Sequence, residues 1–251
     1  MMKPISVSML LLAATQSLAQ CPDYRHDDGS GGFTIGPSEF DATITWGNYY
    51  HAEPGCNWLT RVSVSFAGSL PAGTPITIAV YDDPDGDGDP ANATLVSMAS
   101  HASMFTSTGS FASYDIRPTR VGGPDGTGGF FVAVAAFAPQ RQSVARMDQD
   151  TPGVLSWLYF SDGLLADLGA APFSVRMIDS PFRGTWMVRA QAQAQGCAVD
   201  LDGDGQATLF DFLEFQNAFI SGDLLADFDG DLTLTLFDFL AFQSAFAGGC
   251  S

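Results

Sequence analysis

The chain has 251 residues and a mass of 26.5 kDa, a size that suits one large domain or a moderate domain with a small one. Its 28 acidic and 10 basic residues give a formal net charge of −18. Binding to nucleic acid needs a basic surface, so this charge argues against a nucleic-acid partner. The hydrophobic content of 46% is enough for a packed core and argues against a wholly disordered chain.

The N-terminus has the pattern of an export signal. Lys3, the single lysine of the chain, precedes an apolar run at residues 5–14, and Ser17 and Ala19 are small residues placed as at a cleavage site. We therefore predict a signal peptide at residues 1–19 and a secreted or cell-surface location. The apolar run is too short to span a bilayer and no later run is long enough, so we expect no transmembrane segment in the mature chain.

Four cysteines fit an oxidising compartment. Cys21 and Cys56 lie near the start of the predicted mature chain, whereas Cys197 and Cys250 lie at the two ends of the C-terminal segment. Four cysteines allow three pairings, and this regional grouping favours disulfides 21–56 and 197–250.

Residues 20–190 have the composition of a β domain of unknown ligand. Short runs rich in β-branched and aromatic residues are separated by Gly, Pro, Asp and Ser. The wholly apolar run 130–137 is typical of a central strand. We expect eight or nine strands in a mainly β fold, an antiparallel β-sandwich of the jelly-roll kind. The runs are 40–46, 61–66, 75–81, 111–116, 130–137, 154–160, 173–178 and 185–190.

The composition changes near the C-terminus. The Ala-Gln repeat at residues 191–196 indicates a linker. Residues 197–251 hold ten acidic residues, no basic residue and nine of the 20 phenylalanines. We therefore predict a separate small domain at residues 197–251.

This small domain contains a repeat, and its second copy begins 27 residues after the first. Each copy has aspartates at positions 1, 3, 5 and 12 of a loop, and the backbone carbonyl of position 7 would add another oxygen. Such a loop suits Ca²⁺, which takes about six to eight oxygen ligands. The predicted Ca²⁺ ligands are Asp200, Asp202, Asp204, Gln206 and Asp211 in the first copy, and Asp227, Asp229, Asp231, Thr233 and Asp238 in the second.

Charge repulsion is the physical reason to expect a cation. Two carboxylates about 4 Å apart repel by about 4 kcal/mol at an effective dielectric of about 20. After each loop, phenylalanines at positions i, i+3 and i+7 predict a short amphipathic helix. A domain of about 55 residues is small enough to need metal or disulfide cross-links, so we expect the two helices to pack face to face. The two stripes are Phe212, Phe215 and Phe219, and Phe239, Phe242 and Phe246.

These motifs resemble a dockerin, with two 12-residue calcium loops that each precede a helix. More narrowly, Leu-Phe-Asp-Phe-Leu-x-Phe-Gln-x-Ala-Phe in both copies and the terminal Gly-Gly-Cys-Ser resemble the GC-type dockerin-like C-terminal domain of exported bacterial proteins. The resemblance covers residues 197–251, about a fifth of the chain. It implies a domain that docks the rest of the chain to a cohesin-like or other surface or scaffold protein.

In dockerins, loop positions 10 and 11 help to select the cohesin. Here these positions are Leu209 and Phe210 in the first copy, and Leu236 and Phe237 in the second. Either they form an apolar docking surface that is usable in two orientations, or they complete the core of the helix pair.

The two loops differ at position 6, which is Gly205 in the first copy and Leu232 in the second. Glycine is favoured at this position because the backbone turns there with a positive φ. A leucine in that conformation costs roughly 1–2 kcal/mol. We therefore predict that the second loop binds Ca²⁺ more weakly than the first.

Two features of the β domain have alternative interpretations. The acidic run 82–90 is either a metal loop built on Asp83, Asp85, Asp87 and Asp89, or a solvated turn between strands. A group of aromatic residues either lines a sugar-binding platform or belongs to the core. That group is Trp46, Tyr49, Tyr50 and Trp58.

No residue is identified as catalytic, since the sequence holds no nucleophile elbow, His-Glu-x-x-His motif or phosphate loop. We therefore favour a non-enzymatic exported protein whose calcium-binding tail anchors a β-sandwich. The alternatives are a glycoside hydrolase with two facing carboxylates, a carbohydrate-binding module that takes a polysaccharide, and a tail that is only a metal-stabilised cap.

Overall fold

The computed structural model describes residues 21–104, 109–123, 126–161, 168, 173–193, 197–202, 205–229, 231 and 233–250. The predicted signal peptide lies outside these residues. The described residues form thirteen strands and two α-helices, with both helices in the C-terminal segment. The strands are β1 (Asp23–Tyr24), β2 (Phe33–Ile35), β3 (Ala42–His51), β4 (Trp58–Val64), β5 (Pro75–Asp83), β6 (Thr94–Ala102), β7 (Ala112–Arg120), β8 (Gly129–Ala138), β9 (Ala145–Asp148), β10 (Ser156–Ser161), β11 (Phe173–Arg176), β12 (Thr185–Trp186) and β13 (Val188–Gln193); the helices are α1 (Leu209–Ser221) and α2 (Leu236–Gly248).

The strands form three antiparallel sheets, as expected for a mainly β fold. The largest has six strands in the order β11-β10-β3-β8-β5-β6. The second has the order β1-β13-β4-β7, and the third has the order β12-β9-β2. Below, residues 21–193 are called the front region and residues 197–250 the tail.

Strand β8 is central, as its apolar run predicts, because it lies between β3 and β5. Its alternate residues enter two different clusters. Val132 and Val134 pack into the main core, which is shared with β4 and β7, whereas Phe131 and Ala133 pack into a second cluster with Tyr49. Both faces of this strand are therefore covered, and that is why its sequence is apolar throughout.

Each of the eight predicted runs overlaps an observed strand, but four strands were not predicted. Two of these, β1 and β2, are very short. Strand β6 lies at the edge of the six-stranded sheet and carries Ser97, Ser100 and His101, so its sequence lacks a continuous apolar signal. Strand β9 has only four residues, among them the buried Arg146.

The predicted linker is wrong for residues 191–193. Strand β13 continues to Gln193, and Gln191, Ala192 and Gln193 pair with β4. The Ala-Gln alternation has a period of two, which suits a strand as well as it suits a flexible connection. Residues 194–196 lie outside the described part of the chain.

Both predicted disulfides are confirmed. Cys21 bonds Cys56 with a Cα–Cα distance of 5.5 Å, and Cys197 bonds Cys250 with a Cα–Cα distance of 5.1 Å. The second bond joins the two ends of the tail. Two disulfides fit an oxidising compartment such as the extracellular space. Within the described residues, neither helix is long and apolar enough to cross a membrane.

Candidate functional site

Each helix of the tail begins at a threonine that caps it. The Thr208 hydroxyl accepts a hydrogen bond from the Phe210 N–H at 3.1 Å, and the Asp211 carboxylate accepts one from the Thr208 N–H at 2.7 Å. Thr235 and Asp238 form the same capping box at the start of α2. The aspartate at loop position 12 is therefore also the residue that closes the helix cap.

The same aspartates tie each loop to its helix. Asp211 Oδ1 accepts hydrogen bonds from the backbone N–H groups of Leu201 at 2.7 Å and Asp202 at 3.1 Å. Asp238 Oδ1 accepts the equivalent bonds from Phe228 at 2.8 Å and Asp229 at 3.2 Å. The sequence repeat is thus a repeat of hydrogen-bond geometry as well.

These bonds decide the protonation of the two buried aspartates. Burial by itself would raise the pKa of Asp211, but the backbone donors of Thr208, Asp202 and Leu201 outweigh it and hold the pKa below its ordinary value. The pKa of Asp238 is lowered in the same way. Both residues therefore stay ionised at neutral pH, in the form that a cation needs.

Three predicted ligands converge in each loop. In the first loop, carboxylate oxygens of Asp200, Asp202 and Asp211 lie within 4.8 Å of one another. The predicted ligand Asp204 lies outside the described residues, and Gln206 is exposed on the same loop. An all-oxygen, anionic donor set of this kind fits a hard cation such as Ca²⁺ or Mg²⁺.

The second loop brings together Asp227, Asp229 and Asp231, again within 4.8 Å, while Thr233 is exposed. Desolvation and the charges of Asp238 and Asp231 raise the pKa of Asp229, against a hydrogen bond from the Asp231 N–H that lowers it. The carboxylates of this loop therefore repel one another. Leu232, on which the predicted difference between the loops depends, lies outside the described residues.

The phenylalanine stripes form the contact between the helices, as predicted. Phe215 and Phe242 are fully buried, and their rings stack with centroids 4.1 Å apart and planes inclined by 9°. These two residues are equivalent positions of the repeat. Their contact means that the two halves of the tail are related by an approximate twofold axis. The other four phenylalanines of the stripes pack around this pair.

The residues at loop positions 10 and 11 lie on the surface, which excludes the alternative in which they complete the core of the helix pair. Leu209 and Phe210 are 67% and 68% exposed, and Leu236 and Phe237 are 68% and 69% exposed. They occupy the first turn of each helix.

One more leucine per helix belongs with them. Leu213 and Leu240, which follow Leu209 and Leu236 by four residues on the same helix face, are 44% and 48% exposed. Helical spacing would have found them in the sequence. We call Leu209, Phe210 and Leu213 the first apolar set, and Leu236, Phe237 and Leu240 the second apolar set.

The tail contacts the front region through Arg117 of β7. Its guanidinium donates a hydrogen bond to the Asp227 carbonyl at 2.9 Å and stacks on the Phe228 ring, 4.3 Å from the centroid. Burial lowers the pKa of Arg117 to about 10, although the charges of Asp227 and Asp238 oppose this. An arginine of the front region thus contacts the second acidic loop, and no sequence motif marks it.

The aromatic platform that the sequence suggested is not formed. Trp46, Tyr49 and Tyr50 are buried, so they belong to the core, and only Trp58 is partly exposed. Each of the three histidines packs against a tyrosine: His26 stacks on Tyr50, His51 lies against Tyr49, and His101 lies against Tyr114.

One cleft of the front region is mainly apolar. It has a volume of about 710 Å³ and is lined by aromatic side chains that include Phe33, Phe40, Phe160 and Phe182. No carboxylate is among the described residues that line it. The facing pair that glycoside hydrolysis needs is therefore not found at this cleft.

No protein-family model matches the chain, and a search of curated proteins finds no match. The resemblance to dockerins therefore depends on the repeated motif of the tail alone.

Proposed function

We propose that the tail is a calcium-loaded docking domain that attaches an exported β-sandwich to a surface or scaffold protein of the cohesin type. The observation that carries this proposal is the exposure of Leu209, Phe210, Leu236 and Phe237, each about two-thirds open to solvent. Large apolar side chains grouped on the surface of a strongly acidic protein are typical of an interaction site.

The repeat gives the proposed site its form. Each apolar set starts directly after a calcium loop, and the two sets occupy equivalent positions of the approximate twofold arrangement. A partner that binds one set in one orientation can bind the other after a half turn of the tail. Calcium acts indirectly in this proposal, since it removes the repulsion among the loop carboxylates and so holds both helix starts in place.

In this proposal, the front region is the domain that the tail attaches to the partner. Its four-stranded and six-stranded sheets share one hydrophobic core, an arrangement that supports a β-sandwich, which we propose to be of the jelly-roll kind. The two disulfides and the predicted signal peptide support a secreted or cell-surface location. The glycoside hydrolase alternative gains no support from the apolar cleft.

Capture by the immobilised mature chain tests this function. A panel of cohesin domains and an extract of cell-surface proteins from the producing cell are applied with calcium or with EDTA. We expect the mature chain to capture a partner only with calcium. Capture should be retained when Phe210→Ser or Phe237→Ser is introduced alone, and it should be lost when both residues are changed. Ile220→Ser is the matched control, because Ile220 is an apolar residue of α1 that is 84% exposed but lies outside both sets.

Two results would contradict the proposal. Capture that is equal with calcium and with EDTA would remove the role of the metal. Capture by the double variant that equals capture by the Ile220→Ser control would remove the role of the apolar sets, and the tail would then be a metal-stabilised cap.

A further inference from the structure

We propose that the apolar cleft of the front region binds a small, uncharged, apolar molecule. The cleft has residues of β10 and β11 on one side and residues of β2 on the other, so it lies between the six-stranded and the three-stranded sheets. Its volume of about 710 Å³ falls within the range of roughly 300–1,000 Å³ that small-molecule sites occupy. The site is separate from the tail and does not depend on the docking function proposed above.

Strand pairing shows that the cleft is an opening of the main core. Phe160 of β10 pairs with Ile44 of β3, and Phe33 of β2 pairs with Met147 of β9. Paired residues point to the same face of a sheet, and Ile44 and Met147 are fully buried in the main core. Phe160 and Phe33 therefore face the core from two different sheets, yet both are only partly buried. Among the described strands, β2 and β11 lie at the edges of their sheets, and the cleft opens between them.

Two pairs of aromatic rings line this opening. The rings of Phe33 and Phe182 stack with centroids 5.4 Å apart, and Phe40 meets Phe160 edge to face at 6.3 Å. Phe40 and Phe182 lie outside the strands and are 57% and 49% exposed. A ligand that covers half-exposed rings removes their apolar surface from water, which stabilises the complex. The four rings therefore favour a ligand with a broad apolar surface, such as a ring system.

The lining is uncharged although the chain has a formal net charge of −18. No acidic, basic or histidine side chain is among the described residues that line the cleft. An ion placed there would lose water without gaining a counter-charge, so the site selects against charged ligands. Hydroxyl groups in the lining can add a few hydrogen bonds to an otherwise apolar molecule, and they belong to Thr34, Ser38, Ser143 and Ser180.

The depth of the cleft favours a small molecule over a protein partner. The cleft reaches Leu158, which is only 5% exposed and belongs to the main core. A folded partner would have to insert a side chain to that depth, whereas a small molecule can enter whole. Ligand sites of this kind are concave and mostly apolar, with few polar groups. The cleft is therefore a ligand site, and the apolar sets of the tail remain the protein-binding surface.

N-phenyl-1-naphthylamine tests this site, because it is an uncharged aromatic dye whose fluorescence rises in apolar surroundings. The dye is titrated into the mature chain in excess calcium, and we expect saturable binding of one molecule per chain. Phe40→Ala combined with Phe182→Ala should weaken binding roughly tenfold or more, since it removes both half-exposed rings. The matched control is Phe137→Ala combined with Val154→Ala, which truncates two apolar side chains that are 55% and 49% exposed and are not among the lining residues. Near-ultraviolet circular dichroism checks that both variants are folded.

Two further measurements locate the dye and test the charge of the ligand. Phe210→Ser combined with Phe237→Ser removes two exposed rings of the tail and should leave dye binding unchanged, so failure of docking and failure of this site give different results. The dye 1-anilinonaphthalene-8-sulfonate has a related ring system with a negative charge, and it should bind roughly tenfold or more weakly than the uncharged dye.

Four results would overturn the proposal. The first is equal dye affinity in the Phe40/Phe182 variant and its control, and the second is equal or tighter binding of the anionic dye. The third is loss of dye binding in the tail variant, which would place the dye on the tail. The fourth is a dimer in sedimentation velocity that the dye dissociates, which would show that a second copy of the chain covers the cleft.

Discussion

The stacked pair at the centre of the tail allows a quantitative prediction. Phe242 is fully buried, and its ring lies 4.1 Å from that of Phe215, 5.1 Å from that of Phe228 and 5.5 Å from that of Phe246. Replacing a buried phenylalanine with alanine costs about 3–5 kcal/mol, a cost that already includes the lost ring contacts, and the three close rings place Phe242 at the upper end of this range. We therefore expect Phe242→Ala to destabilise the tail by about 5 kcal/mol.

That loss is as large as the whole stability of a domain of this size, which rarely exceeds about 5 kcal/mol. The helices of the Phe242→Ala variant should therefore be unfolded at 25 °C even with calcium, and far-ultraviolet circular dichroism reads this directly because both described α-helices lie in the tail. The matched control is Phe237→Ala on the same helix, which is 69% exposed and should change stability by less than about 0.5 kcal/mol.

The two variants should also separate stability from docking. Phe237→Ala should keep the helical signal and still bind the partner through the first apolar set, whereas Phe242→Ala should lose both the helical signal and the binding. Equal helical content and equal melting temperatures in the two variants would show that Phe242 is not packed between the two helices of the tail.

Three further predictions concern the loops and their contact with the front region. Leu232→Gly should tighten calcium binding at the second loop by roughly 5- to 30-fold, because a leucine is expected to cost about 1–2 kcal/mol at a loop position that favours a positive φ, and calorimetry that shows no change would contradict the predicted difference between the loops. Arg117→Met should lower the stability of the tail by about 2–4 kcal/mol because it removes the stacking on Phe228 and the charged hydrogen bond to Asp227, and an unchanged helical melting temperature would show that the contact is dispensable. Burial lowers the pKa of His101, although the charges of Asp223 and Asp115 oppose this, so the chain loses stability as the pH falls below the ordinary histidine pKa of about 6.5. His101→Gln should therefore lose less stability than the wild-type chain between about pH 7 and pH 5. Equal losses in the two chains would show that His101 is not responsible.

The features of the tail that come from local pattern were predictable from the sequence. The phenylalanine stripes, both disulfides and the spacing of the loop aspartates each follow from short-range periodicity or from cysteine position. Whether Leu209 and Phe210 face inward was not predictable, because a helix-start residue next to an apolar stripe can lie on either side of it. The fold settles this by stacking equivalent phenylalanines, and Leu209 and Phe210 are then exposed to solvent.

The features that depend on long-range contact were missed. Arg117 is one arginine among nine, and only the docking of β7 against the second loop gives it a partner. Tyr49 was taken for a possible sugar-binding residue because its neighbours are aromatic, but strand pairing places it across Gly129, buried next to Asp83. Residues 191–193 looked like a linker because their small and polar residues carry no core signal, yet they complete a strand.

The most direct test of the account is the calcium dependence of the helices in the mature chain. Far-ultraviolet circular dichroism is recorded during heating, first with EDTA and then with excess calcium, and the disulfides are kept intact in both. We predict a helical signal that is weak in EDTA, is restored by calcium, and melts at a higher temperature as the calcium concentration rises. The same helical content and melting temperature in EDTA and in calcium would mean that the tail, with its ten acidic residues, folds without a cation, and would contradict the account.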